Sequence, residues 1–236
     1  MGMVFRNIRR ADRGAVEGLA EFGVATIHEA RGRAGLLAPE VRPIAPDLRM
    51  AGTAVTVSVP PGDNLMVHVA VEQCAEGDVL VVAPTSRSDT AYLGELLATA
   101  LAVRGVRGAV IDGGVRDVAE LRAMPFPVWS RVVSASGAVK ETLGDVNVPV
   151  VCAGQLVRPG DVVVADDDGV VVVPRDAAAE VLKACRARKE KEARSRERYR
   201  AGELSLDVHA MRESLEAKGI RYLDDLDDRD GEGEEP

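Results

Sequence analysis

Aromatic side chains are nearly missing from this chain: three Phe, three Tyr and one Trp make up 3% of its 236 residues. Val, Ala and Leu must fill whatever core it builds. Cysteine is also scarce. Cys74, Cys152 and Cys185 form an odd, scattered set without a Cys-x-x-Cys spacing, which argues against a disulfide framework or a zinc knuckle and for a reducing cytosol. No apolar stretch approaches the ~18–20 residues that span a bilayer, and the start Met1-Gly-Met-Val-Phe-Arg lacks an apolar signal region. The expectation is a soluble, cytoplasmic protein with no membrane partner. An excess of positive charge is absent too. The formal charge is −8, but the run from Asp224 to Pro236 carries eight acids and one arginine, so the remainder is almost neutral. That balance gives no sign of nucleic-acid binding.

What is present is a chain long enough for one substantial core, 46% hydrophobic and 29% charged. Residues 1–223 are expected to form a single α/β domain that includes C-terminal helices over 176–218. The acidic segment 224–236, with no apolar period, reads as a disordered tail. Residues 12–22 and 24–31 read as short helices, Pro39–Pro46 as a loop and Gly52–Val59 as a strand. Pro60-Pro-Gly-Asp-Asn is a turn into a helix over 64–75, with Asp63 or Asn64 as its cap, and a strand follows at Val79–Ala83. After Met124, strands are expected at Val128–Val133, Val148–Ala153, Asp161–Ala165 and Gly169–Pro174, arranged as a meander. Asp166-Asp-Asp-Gly lacks the ligand spacing and closing Glu of a calcium loop and reads as a hairpin turn. From Asp176 to Arg200 the pattern is a long, mixed-charge helix whose apolar start is Val181, Leu182, Ala184 and Cys185. Gly202 ends it, and a last helix is expected over 207–218. The charged helix has too little apolar surface to pack on its own core, which suggests a neighbouring subunit.

The most informative run is Gly94-Glu-Leu-Leu, followed after one helix and one strand by Gly113-Gly-Val-Arg-Asp117. Residues 95–104 read as a helix ended by Gly105, and 108–112 as a buried strand. Gly113-Gly114 is expected to turn the chain and leave Arg116 and Asp117 at the start of the helix Val118–Met124. Functional groups of open α/β layers gather beyond the C-terminal ends of strands and at helix N-termini. A helix starting near Gly94 leaves the amides of Glu95, Leu96 and Leu97 without intrahelical partners, an anion socket. Arg116 can clamp a carboxylate bidentately, and Asp117 can hold a hard cation. Together these suit a small 2-oxo acid on a divalent metal. Asp117 is equally at home as a plain helix-start acid, but a mid-helix Gly94 would cost about 0.5–1 kcal/mol against Ala, and a helix start at a ligand explains it.

From about Val24 to Arg221 the chain resembles the class II pyruvate aldolases, the family of 4-hydroxy-4-methyl-2-oxoglutarate and 4-carboxy-4-hydroxy-2-oxoadipate aldolases. The same fold includes a regulator of bacterial RNase E that lacks aldolase chemistry. The resemblance rests on Glu95, Arg116 and Asp117, on Val24-Ala-Thr-Ile-His-Glu-Ala, on Gly62-Asp-Asn-Leu-Met-Val-His, and on Arg158-Pro-Gly-Asp-Val-Val-Val-Ala-Asp-Asp-Asp-Gly. It implies an α/β fold of the swivelling β/β/α type, a layered domain with a partly barrel-like mixed sheet and C-terminal helices. It also implies a homotrimer or homohexamer with active sites at subunit borders.

A retro-aldol cleavage beside a 2-oxo group needs an electron sink, either a lysine imine or a Lewis-acid metal. The only lysines are Lys140, Lys183, Lys189, Lys191 and Lys218. Four lie in the C-terminal helices and Lys140 in a loop-like stretch, so the metal route is favoured, with Mg²⁺ or Mn²⁺ on Asp117. The resemblance implies that the amides of Leu96 and Leu97, opened by Gly94, hold the substrate carboxylate, that Arg116 polarises the C2 carbonyl, and that Glu95 orients a water. Oxaloacetate should lose CO₂ by way of the same enolate. His28 reaches a second substrate carboxylate or caps its helix, and Arg31 and Arg33 are candidate contacts for that distal group. His68 and His209 read as structural. By the same resemblance Glu192 serves a neighbour's metal through water, with Glu190 two residues away as the alternative. The competing class is the non-catalytic RNase regulator, whose relatives lack an acid at the position of Asp117. A methyltransferase finds no support, because no Gly-rich loop follows the first strand.

Overall fold

The computed structural model describes residues 2–224. The acidic segment read as a tail lies, from residue 225 on, outside the described residues. The chain divides into two units, residues 1–188 and residues from 189 onward.

The first unit opens with α1 (Arg13–Leu19) and α2 (Val24–Ala30). Asp12 caps α1 through the Ala15 amide at 2.9 Å. A short β1 (Arg42–Pro43) sits in the Pro-rich stretch, followed by β2 (Met50–Val59), α3 (Leu65–Gln73) and β3 (Asp78–Pro84). Then come β4 (Ala91–Leu93), α4 (Glu95–Val103), β5 (Ala109–Val115), α5 (Val118–Ala123) and β6 (Val128–Val133). The rest of the unit holds β7 (Asp145–Val146), β8 (Val150–Cys152), β9 (Gln155–Val157), β10 (Val162–Asp166) and β11 (Gly169–Val173). A 3₁₀ turn at Arg175–Ala177 leads into α6 (Ala178–Arg200).

Nine strands make one mixed sheet in the order β1-β6-β5-β3-β2-β10-β11, with β4 on β5 and β7 on β2. The middle strands β2, β3, β5 and β6 are parallel and are joined by α3, α4 and α5. They are buried on both faces, which is why they read as Val-rich runs rather than alternating ones. One cluster, including Ala54, Val79, Val81, Val110, Trp129, Val163 and Val172, draws on six strands and so occupies their common inner face. A second places Val55, Val57, Leu80, Val82 and Ile111 under α3, α4 and α5. A third puts Val162, Val164, Val171 and Val173 under α1, α2 and the start of α6. The sheet curls into a nearly closed barrel. Trp129 Nε1 of β6 donates to the Asp166 carbonyl of β10 at 3.0 Å, and Arg42 of β1 reaches the Asp168 carbonyl at 3.2 Å.

The aspartate run is a hairpin turn, as its sequence indicates, and the carboxylates of Asp166 and Asp167 are taken up by backbone. Asp166 Oδ2 accepts the Val24 amide at the start of α2, and Asp166 Oδ1 accepts the Asp168 amide. Asp167 accepts the Asp47 amide.

Three expectations are corrected. The strands after Met124 are not one meander: β6 joins the parallel set, β8 and β9 form their own two-stranded sheet, and β10–β11 return beside β2. Gly113-Gly114 does not turn the chain. β5 runs through both glycines to Val115, with a register shift against β6 between Ile111 and Gly114, and the turn falls at Asp117. The last expected helix is two short ones, α7 (Ser205–Val208) and α8 (Arg212–Ala217), broken where Ala210 takes a φ of 51°.

In the second unit, Tyr199 Oη and His209 Nε2 are 2.7 Å apart, and Arg198 pairs with Glu203. No helix among the described residues is long and apolar enough to cross a membrane.

Candidate active site

The site is built where β4 and β5 end together. The Arg116 amide donates to the Leu93 carbonyl at 3.1 Å, which ties the strand ends side by side. Asp117 then turns the chain in the left-handed conformation, φ 56° and ψ 43°, one of the few non-glycine residue types enriched there. Its carbonyl starts α5, while its side chain reaches back to the start of α4. Asp117 Oδ2 accepts the Glu95 amide at 3.2 Å and lies 3.6 Å from Arg116 Nε.

This contact explains Gly94. A Cβ at that position would run into Asp117 Oδ2 and come within 3.1 Å of Arg116 Cγ. Gly94 has an extended φ of −140° and offers no side-chain cap to α4. Asp117 therefore caps α4 from across the turn and satisfies one of its open amides. Those of Leu96 and Leu97 have no acceptor among the described residues. They keep the partial positive charge of a helix start.

Beside them lies a cleft of about 150 Å³ lined by Gly94, Leu96, Leu97, Arg116 and Asp117. It is also lined by Tyr92, which the sequence did not single out, and by residues that sequence reasoning treated as structural or set aside: Asn64, His68 and Lys140. Asn64 donates to the Tyr92 carbonyl at 3.0 Å, and its buried Oδ1 has no partner among the described residues. Burial, and then the neighbouring Lys140 charge, push the His68 ring below the ordinary histidine range. Lys140 itself makes no hydrogen bond or ion pair among the described residues. The signal that could have found this group was the Gly62-Asp-Asn turn: it starts the helix that carries His68 four residues after Asn64, one turn along the same face.

Other predicted residues fall elsewhere. The Glu95 carboxylate accepts the Thr99 hydroxyl at 2.9 Å along α4, and Glu95 is not among the residues lining the cleft. His28 Nδ1 lies 3.4 Å from the Ala34 carbonyl. Arg31 donates to the Val172 carbonyl, and Arg33 pairs with Glu29 at 3.1 Å. None of these three lines the cleft. Glu192 lies on α6 in the second unit. The cysteines are free and buried, and burial pushes all three thiols up, Cys74 to about 12 and Cys185 to about 11, which disfavours the thiolate form.

Among the described residues no three His, Cys, Asp or Glu side chains gather as a metal cage. The carboxylate at the cleft is the half-exposed Asp117, whose Oδ1 makes no hydrogen bond or ion pair among the described residues. That does not suit a three-ligand zinc site. It does suit a hard divalent cation that keeps most of its waters.

The family described as RraA-like, Aldolase/RraA, matches residues 24–172, which contain this whole cleft. The chain belongs to this family. A protein of Halalkalibacterium halodurans provisionally named a 4-hydroxy-4-methyl-2-oxoglutarate aldolase is 34% identical over 180 residues, covering 76% of this chain and 83% of that one. A Thermus thermophilus 4-hydroxy-4-methyl-2-oxoglutarate aldolase is 36% identical over 126 residues, 53% of this chain and 76% of its own. Among solved structures, Streptomyces coelicolor RraAS2, described as an unusual member of the RNase ES inhibitor RraA protein family, superposes with a TM-score of 0.73 at 30% identity. It covers 80% of this chain and 99% of its own. The Aldolase/RraA family thus holds relatives named for carbon–carbon bond cleavage and relatives named for ribonuclease inhibition.

Proposed function

We propose that this Aldolase/RraA member cleaves a 4-hydroxy-2-oxo di- or tricarboxylic acid by a retro-aldol reaction to pyruvate and a second oxo acid. Substrates of the 4-hydroxy-4-methyl-2-oxoglutarate or 4-carboxy-4-hydroxy-2-oxoadipate type fit this reading, and oxaloacetate decarboxylation accompanies it. The observation that carries it is the meeting of Asp117, Arg116 and the two open amides of α4 in one small cleft.

The amides of Leu96 and Leu97 orient the substrate carboxylate. The Arg116 guanidinium donates to the C2 oxygen, where negative charge develops as the C3–C4 bond breaks and its electron pair enters the enolate. Asp117 would hold Mg²⁺ or Mn²⁺, which supplies Lewis-acid stabilisation of that charge. The proton leaving the C4 hydroxyl passes to a water; Glu95, which does not line the cleft, would orient that water by releasing the Thr99 hydroxyl and turning its carboxylate toward it. His68, kept neutral by its surroundings, is a second basic group at the cleft. Lys140 is exposed, and an imine-forming lysine needs a desolvated setting, so the lysine route stays disfavoured.

The same reading proposes a homotrimer or homohexamer. Every buried residue of α6 lies between Ala178 and Cys185, and its charged remainder is of the kind that packs across a subunit boundary.

The test is pyruvate release from the two hydroxy-oxo acids and from oxaloacetate, with Mg²⁺ and with EDTA. The likeness to the Streptomyces RNase ES inhibitor favours one other reading, a non-catalytic binding protein. Absence of EDTA-sensitive pyruvate release, together with inhibition of an RNase E-type nuclease, would establish that reading instead.

A further inference from the structure

The cleft is assembled from chain segments far apart in sequence, and one buried carboxylate joins two of them. Asp63 is 2% exposed. Its Oδ1 accepts the Leu65 amide at 2.8 Å, at the start of α3. Its Oδ2 accepts the Glu141 amide at 2.9 Å and the Thr142 amide at 2.7 Å. On either side of it, the Asn64 amide donates to the Val139 carbonyl at 3.0 Å and the Val139 amide donates to the Gly62 carbonyl at 2.9 Å. The Gly62 amide in turn donates to Tyr92 Oη at 2.9 Å.

Segment 139–142 has no regular secondary structure of its own. It carries Lys140 to the rim of the cleft, and Lys140 is held there by nothing but its backbone. The amides fixed by Asp63 are the next two in the chain after that lysine.

We infer that Asp63 is a positioning residue: its carboxylate clamps segment 139–142 onto the start of α3 and so holds the Lys140 ammonium near His68, in the cleft that Arg116 also lines. This rests on the cleft being the reacting site. In water the two loop amides would find solvent partners, so a charged acceptor is needed to hold them against exchange. A carboxylate supplies acceptor capacity for the three amides and for the Thr142 hydroxyl, which also bonds it; neither Asn nor Ser can do so.

The deciding variant is Asp63→Ser. A serine hydroxyl still caps α3 through the Leu65 amide but is too short and too poor in acceptors to hold Glu141 and Thr142. Three readouts follow, two of them independent of activity. Hydrogen exchange should show loss of protection at the amides of Glu141 and Thr142 while the amides of α3 stay protected. The His68 ring, followed by NMR and assigned with His68→Gln, should titrate higher in Asp63→Ser, in the same direction as in Lys140→Met, because a nearby positive charge has been withdrawn. Pyruvate release should fall on the order of tenfold in kcat/KM, since misplacement of a positioned group by about 1 Å carries costs up to 10²-fold. That loss should vanish when Asp63→Ser is introduced on top of Lys140→Met.

An unchanged His68 titration, intact protection at 141 and 142, or losses that simply add in the double variant would overturn the clamp. If Asp63→Ser fails to fold, Asp63→Asn is read by the same three measurements. If the unaltered protein releases no pyruvate from any of the oxo acids, the aldolase reading falls, and the exchange and titration measurements still decide the clamp.

Discussion

A Cβ on Gly137 would come within 2.9 Å of Arg116 Nη1. The guanidinium is thus seated against a stretch of bare backbone. That stretch is itself pinned to the start of β4, because the Ala91 amide donates to the Ser136 carbonyl at 2.8 Å. Gly137→Ala should push the guanidinium aside. The backbone at 137 needs no left-handed angle, so the fold should lose less than about 0.5 kcal/mol. The expected outcome is an unchanged melting temperature with kcat/KM for pyruvate release down on the order of tenfold, equivalent to about 1.4 kcal/mol. Equal activity in the alanine variant would separate Arg116 from the chemistry.

Asp117→Asn is a sharper probe than Asp117→Ala, because Asn tolerates the left-handed backbone that Asp117 adopts. Its amide oxygen can still accept from Glu95, so the cap on α4 should survive with a loss of about 1 kcal/mol or less. What disappears is the negative charge facing the cleft. Mg²⁺-dependent pyruvate formation should drop on the order of 10²-fold or more. Isothermal titration with Mn²⁺ should show binding to the unaltered protein and none to Asp117→Asn; equal binding by both would move the cation elsewhere.

The location of Lys140 at the cleft gives the imine question a direct test. Borohydride added with pyruvate should leave the mass of the protein and its activity unchanged, and EDTA should inactivate it reversibly. A reduced pyruvyl adduct on Lys140 would replace the metal route by the lysine route.

Asp63 also sets a pH dependence. Burial alone would raise its pKa, but the amides of Leu65, Glu141 and Thr142, together with the Thr142 hydroxyl, reverse this and hold it below the ordinary aspartate range. A carboxylate lowered on folding contributes stability that is complete above the unfolded value and is lost as the pH falls through the folded one. The stability difference between the unaltered protein and Asp63→Ser should therefore be constant from neutral pH down to the carboxylate range and shrink below about pH 4. Urea unfolding at several pH values measures it; a difference that grows on acidification would contradict the assignment.

The elements that line the site were largely legible in the sequence. Strand β6 over Val128–Val133 has the expected ends, and α4 starts at the glycine its pattern names. Periodicity and glycine placement report local geometry, and Gly94, Arg116 and Asp117 lie within two neighbouring βα units. Lys140 was not legible in the same way. It sits 24 residues after Arg116 in an irregular loop, and hydrogen bonds to the distant Gly62-Asp63-Asn64 turn bring it to the cleft. Nor did Gly113-Gly114 announce itself as strand: the pair resembles a turn, but strand pairing with β4 and β6 keeps it extended. Short strands such as β4 and β7 carry too few residues to show a period. The break at Ala210 depends on a backbone angle that Ala seldom takes.

The trans-capped start of α4 has a consequence for how two ligands communicate. A cation held by both Asp117 oxygens, the open Oδ1 and Oδ2, would compete with the Glu95 amide for Oδ2. The amide it releases becomes a third donor at the helix start, next to those of Leu96 and Leu97. A carboxylate bound there would gain that donor, and by reciprocity would strengthen the hold on the cation by the same factor. Cation and oxo acid would then bind cooperatively through a single hydrogen bond changing hands, with no movement of the surrounding barrel.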